Sequence, residues 1–203
     1  MDLVPTCENG FTGLEAAIVL IAFVVVAASF SYVVLGAGFF TSQTAQSTVH
    51  TGVSQASSSG EVVGNIYGIA NSAKTALAYI NVTVALTAGG TPIDLSNMVV
   101  SYTDNNGGHN ANLTYGGVQG DGGSCANAIS GGSPQTWCIA QKFNNVTAGA
   151  MLDTNAQMVI LVGLPSSATP NTQFSINFQP SVGAALPITR TIPGGLTEIQ
   201  PLY

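Results

Sequence analysis

Hydrophobic and polar positions divide the chain into two halves of different period. From Phe11 to Phe40 almost every residue is apolar, and Glu15 is the one ionisable side chain. Residues 16–40 carry no charge, and in a helix they span roughly 37 Å, enough to cross a bilayer core of about 30 Å. No proline falls between Pro5 and Pro92, so nothing stops a helix before Ser57-Ser58-Ser59-Gly60. Thr12, with Glu15 three residues on, has the pattern of a capping box and predicts the helix start. After Phe40 the helix turns polar and keeps only a narrow apolar stripe of Phe39, Val49 and Val53. A helix over 11–58 would be roughly 72 Å long, far beyond the mean for globular proteins. Such a rod must pack against something outside its own domain.

Beyond Glu61 the period drops to two. Ile80, Val82, Val84 and Leu86 alternate with Asn81, Thr83 and Ala85, and Phe174, Ile176 and Phe178 alternate with Ser175, Asn177 and Gln179. These are half-buried strands. The continuous apolar run Met158–Val162 reads as a central strand. Shorter candidates near 62–70, 96–103, 111–116, 136–143 and 185–193 bring the expectation to seven or eight strands. The Gly/Asn/Ser-rich stretch 104–135 reads as one or two long loops. The expected class is α+β: a long N-terminal hydrophobic helix, then an antiparallel β-sandwich over 61–203.

Composition narrows the function. Only 6% of residues are charged, the net charge is −6, and the three cations are Lys74, Lys142 and Arg190. No basic patch exists to bind nucleic acid. Solubility rests on Ser, Thr, Asn and Gln, and the glycosylation tripeptides at Asn81, Asn112 and Asn145 are candidates for added sugars. Removal of the first ten residues would take Cys7 and leave Cys125 and Cys138 as an even pair. A disulfide between them fits an oxidising compartment and would contribute about 3 kcal/mol by loop closure; a free buried pair is the alternative. No CxxC spacing supports a metal. Asp104, Asn105, Asn106, Asp121 and Asp153 offer oxygen ligands without EF-hand spacing, and such clusters are usually turns. His50 and His109 have no evident Ser–Asp partners, and no catalytic residue is assigned. Trp137 is expected in the core; Tyr115 and Trp137 in a binding surface is the competing reading.

The Gly10/Phe11 junction, Thr12, Glu15 and the apolar run behind them resemble the class III signal of type IV pilins and archaellins, the archaeal flagellins. The continuation LGAGFFTSQTAQSTVHTGVSQASSS is similar to archaellins in particular, whose long helix enters an immunoglobulin-like β-domain. The resemblance implies that residues 1–10 are a leader, cut between Gly10 and Phe11 by a prepilin-peptidase-like membrane protease. It implies that the subunits wait in the membrane and then assemble through residues 11–58. The product would be an extracellular swimming filament, driven by export and rotary machinery at its base and coated by N-glycosylated domains. The leader carries Asp2 and Glu8 where leaders of the family are usually basic.

A helix moved from lipid into a filament core exchanges one apolar environment for another, so packing and polar pairing decide the outcome. Small residues that let helices approach, among them Ala27, Ala28, Gly36 and Gly38, are candidate contacts, as is Phe11 itself. Returning such a helix to water would expose on the order of 2,000 Å², a penalty of about 50 kcal/mol. Glu15 is the exception to this apolar logic. By the resemblance it would pair with the Phe11 α-amine of a processed subunit; alternatively it sits in the first turn and favours the helix dipole. Three other functions remain: an adhesive type IV pilin, a membrane-anchored extracellular binding module that never polymerises, and, more remotely, a secreted hydrolase.

Overall fold

The structure is a computed structural model and describes residues 8–129, 136–144 and 148–203. Its contacts divide the chain into two units, Met1–Thr51 and Gly52–Tyr203. The first is built from helix α1, which as a whole runs from Glu8 to Ser57, 50 residues or about 75 Å. The start differs from expectation. Thr12 lies inside the helix and does not cap it, because the residues before it already have helical backbone. Glu15 falls about two turns inside. The helix ends in the serine run. Ser58 N–H still reaches Ser54 O at 2.9 Å, and then Ser59 N–H turns to Ser57 O.

The second unit contains thirteen strands among its described residues. In chain order these are β1 (Gly60–Val62), β2 (Ile66–Ala70), β3 (Leu77–Leu86), β4 (Ile93–Asp94), β5 (Val99–Asp104) and β6 (His109–Asn110). Then follow β7 (Thr114–Val118), β8 (Thr136–Phe143), β9 (Met151–Leu152), β10 (Gln157–Gly163), β11 (Gln173–Gln179), β12 (Leu186–Thr191) and β13 (Ile199–Leu202). One sheet has the order β13-β2-β3-β10-β8-β7, with β1 also paired to β3. A second has the order β12-β11-β5-β6, and β4 pairs β9 alone.

Two expectations change. The stretch 104–135 is not simply loop, since it carries β6, β7 and a short helix α2 (Ala126–Ile129). Nor is every pair antiparallel: β7 runs parallel to β8. Strand β7 reads TYGGV, so it has no alternation to reveal it. Its glycines are required by close approach: a Cβ on Gly117 would stand 2.6 Å from the Gly123 Cα.

The core lies between the two larger sheets. Ile80, Val82 and Val84 from β3, with Met158, Ile160 and Val162 from β10, meet Val100 and Tyr102 from β5 and Phe174, Ile176 and Phe178 from β11. Each set occupies alternate positions of its strand, as a two-residue period requires. Trp137 is fully buried among them, its ring 4.5 Å from that of the half-buried Tyr115, which makes both part of the core. On the opposite face of the larger sheet, a disulfide joins Cys125 to Cys138 across a Cα–Cα distance of 5.5 Å. It holds α2 against Leu161, Tyr79 and Ala140 in a second, small apolar cluster.

Candidate assembly helix

Between Gly13 and Phe40 helix α1 presents an apolar surface on every side. From Gly13 to Val53 each residue is exposed, including Phe23 at 76% and Tyr32 at 82%. Mean hydropathy reaches 2.8 in its most apolar window, and by length and composition the helix can cross a membrane. A soluble helix confines its apolar residues to one stripe; between Gly13 and Phe40 this one does not. Phe23, Ala27, Phe30 and Val34 line a shallow apolar concavity, and Ala16, Val19 and Leu20 line another that has Glu15 at its edge.

Five hydroxyls along the rod are satisfied within it. Ser29 Oγ donates to Val25 O at 2.9 Å, and Thr41, Thr44, Thr48 and Thr51 donate to the carbonyls of Ala37, Phe40, Thr44 and Ser47 at 2.8–2.9 Å. A hydroxyl bonded to its own helix can enter an apolar environment without losing a partner. That leaves Glu15 as the one charged side chain between Gly13 and Ser57.

Ala27 and Gly38 fall on one face, about three helical turns apart. A Cβ added at Gly36 or Gly38 would meet nothing within 4 Å, so neither glycine is required by the isolated subunit. The backbones of Gly10 and Phe11 lie in α1, while their side chains, with all of residues 1–7, are outside the described set.

Where α1 ends, the β-domain holds the chain by its backbone. Ala184 N–H donates to Ser58 O at 3.2 Å, and Thr87 N–H donates to Ser59 O at 3.0 Å. Ser58 Oγ bonds Thr91 Oγ1, and Ser59 Oγ lies 2.8 Å from Thr87 Oγ1. Gly183 makes this possible: its φ is +110°, and a Cβ there would collide with Ser58 O. Nothing in the sequence marked Gly183, because its role depends on a residue more than a hundred positions away.

The other candidates are dispersed. Asn112 and Thr114 are both exposed, flanking a buried Leu113. Asn81 is half-buried in central strand β3, and its side-chain oxygen is shielded without a partner. Asn145 lies outside the described residues. His50 is exposed on α1 and His109 is exposed on β6. Lys142 Nζ donates to Asp121 at 2.6 Å and holds that carboxyl below the usual carboxylate range. Asp104 accepts from the Tyr102 hydroxyl at 2.9 Å, the Ser167 hydroxyl, and the N–H groups of Asn106 and Gly108 at 2.9 and 2.6 Å. Among the described residues no three of His, Cys, Asp and Glu gather as a metal site. Asp104 is a structural lock, with its oxygens already occupied by four donors.

Comparison with known proteins places this architecture. A family model described as archaeal-type flagellin matches residues 10–190. "Probable flagellin 1" of Archaeoglobus fulgidus is 38% identical over 96% of this chain and 95% of that relative. Among solved structures, the archaeal flagellum of Methanospirillum hungatei strain JF1 superimposes with a TM-score of 0.66 at 29% identity, covering 94% of this chain and 98% of that one. The crystal structure of archaeal flagellin FlaB1 from Methanocaldococcus jannaschii shares the fold, with a TM-score of 0.55 over 70% of this chain and 95% of that one, at 20% identity. The chain therefore belongs to the archaeal-type flagellin family.

Proposed function

We propose that this chain is the structural subunit of an archaeal swimming filament, polymerising through α1 with its β-domain facing the medium. One observation carries the reading: an apolar, uncharged surface from Ala16 to Phe40 that no part of its own unit covers. In water that surface is untenable; against lipid and then against identical helices it is stable. The role is structural rather than catalytic. Before assembly the helix resides in the membrane, and a prepilin-peptidase-like protease removes residues 1–10 at Gly10/Phe11. Phe11, Ala27, Ala28, Gly36 and Gly38 then make helix–helix contacts, and export and rotary machinery engages the filament base.

Glu15 pairs with the α-amine exposed at Phe11 by cleavage. In a subunit that begins at Phe11 the carboxylate lies four residues, about one helical turn, from that amine and on the same face of the helix. A lone carboxylate at an apolar interface costs about 3 kcal/mol or more on lenient membrane scales, so a partner is needed. Sugar addition at Asn112 completes the coat, its amide and the Thr114 hydroxyl both lying open to an enzyme.

Three measurements test the reading together. Sheared material should sediment without detergent, N-terminal sequencing should begin at Phe11, and deletion should abolish swimming. Glu15→Ala should be processed normally yet yield few filaments; normal yield would remove the pairing role. An intact Met1 on a detergent-soluble monomer would instead favour an anchored module, and lost surface attachment with intact swimming would favour an adhesive pilin.

A further inference from the structure

The face of the larger sheet turned away from the core is only half covered. At one side α2 and the Cys125–Cys138 bridge lie over Leu161 and Tyr79. At the other side it is bare. Strand pairing sets Tyr67 between Pro201 and Asn81, and Ile69 between Ile199 and Tyr79, all on that outer face. The core-facing neighbours Ile66, Ile80 and Leu202 are buried, whereas Tyr67 is 42% exposed, Ile199 62% and the adjacent Tyr203 84%. Strands β2, β3 and β13 contain no charged residue.

We propose that this patch, centred on Tyr67 and Ile199, is a contact between the β-domains of neighbouring copies of this chain. The inference rests on the filament reading above and adds a second contact surface to it. Chemistry argues for the surface: aliphatic side chains with phenol hydroxyls among them resemble the core of a protein–protein interface, and the three strands themselves carry no charge, the exposed Glu198 lying at the rim just before β13.

Size argues for the occupant. The exposed portions of these side chains amount to on the order of a few hundred Å², well short of the ~800 Å² per partner of a free-standing complex. A contact that small holds only where its two sides are already tethered side by side. Copies joined through their helices meet that condition, since tethering raises effective concentration to about the millimolar range.

Tyrosine nitration read by mass spectrometry tests this on the full-length protein. Native filaments that sediment without detergent are compared with subunits dispersed in mild detergent, using tetranitromethane as the probe. Tyr67 and Tyr203 should react several-fold less in filaments than in dispersed subunits. Equal reactivity in sedimenting filaments overturns the contact while leaving the filament reading intact; failure to sediment overturns both. Protection of Tyr67 in both states would mean that its cover belongs to the same chain, for example a sugar on Asn81, and would also overturn the proposal. As a second arm, Ile199→Glu changes a residue that is mostly in solvent and leaves the domain folded. Its filaments should dissociate at lower temperature than wild type, and an unchanged temperature counts against the contact.

Discussion

Asp104 shows what a single residue contributes. Burial pushes its carboxyl up, but donors from Ser167, Gly108, Tyr102 and Asn106 outweigh that and hold it below the ordinary carboxylate range. Burial, with the hydrogen bond to Asp104 and its charge, pushes the Tyr102 phenol far above its usual value, so the phenol stays a donor at any working pH. Asn106 extends the same joint, its amide donating to Ser167 O, Thr169 Oγ1 and Thr172 Oγ1. The turn between β5 and β6 is thereby fastened to the segment leading into β11. Because the folded carboxyl titrates lower than the unfolded one, this stabilisation is complete above the unfolded value near ~4 and fades as pH falls through the folded value. Asp104→Asn should therefore cost on the order of 1–3 kcal/mol at neutral pH, measured by denaturant unfolding of the full chain in mild detergent. The difference from wild type should shrink in acid, and a gap unchanged down to about pH 2 would deny the charged carboxylate its role.

At the scale of elements, α1 is built at the expense of the isolated subunit. Gly36 and Gly38 each weaken a helix by about 1 kcal/mol relative to alanine, and neither is required by a neighbour in its own chain. On the proposed filament reading their value lies in what they let approach. Gly36→Leu should raise the helicity of detergent-dispersed subunits while lowering filament yield, by circular dichroism and sedimentation respectively. Yield equal to wild type would show that this face stays open in the filament. The β elements differ in how plainly they could be read. Strands β3 and β11 were legible because their side chains sort by face, and β10 because its apolar run is continuous. Strands β4, β6 and β9 have two residues each, and β7 is glycine-rich; these are set by backbone pairing, which leaves no side-chain period to find.

For the molecule as a whole, the scarcity of charge has mechanical meaning. Three cations and nine acids in 203 residues leave little ionic attraction to hold copies together and little repulsion to drive them apart. Cohesion must then be apolar, and apolar cohesion is insensitive to screening. Raising salt from about 0.1 M to about 1 M cuts the Debye length from about 10 Å to 3 Å, which would loosen an ion-paired polymer. The dissociation temperature of these filaments should not fall over that range; a clear drop would show that charge pairs hold the subunits.

The sequence alone determined the rod, the change of period near Glu61, the alternating strands and the class of protein, because these depend on local order: hydrophobic runs, parity and the motif at Gly10/Phe11. The helix start was misread at Thr12, since a capping pattern is only a competitor to continuation and helical backbone through Glu8 prevailed. The tertiary structure alone decided which distant residues meet. It brought Gly183 against Ser58, closed four donors around Asp104, laid β7 parallel to β8, and left Tyr67 beside Pro201 on an uncovered face. Gly183 with Ser58, Ser167 with Asp104, and Tyr67 with Pro201 are contacts between segments far apart in the chain, and no short window of sequence contains both partners.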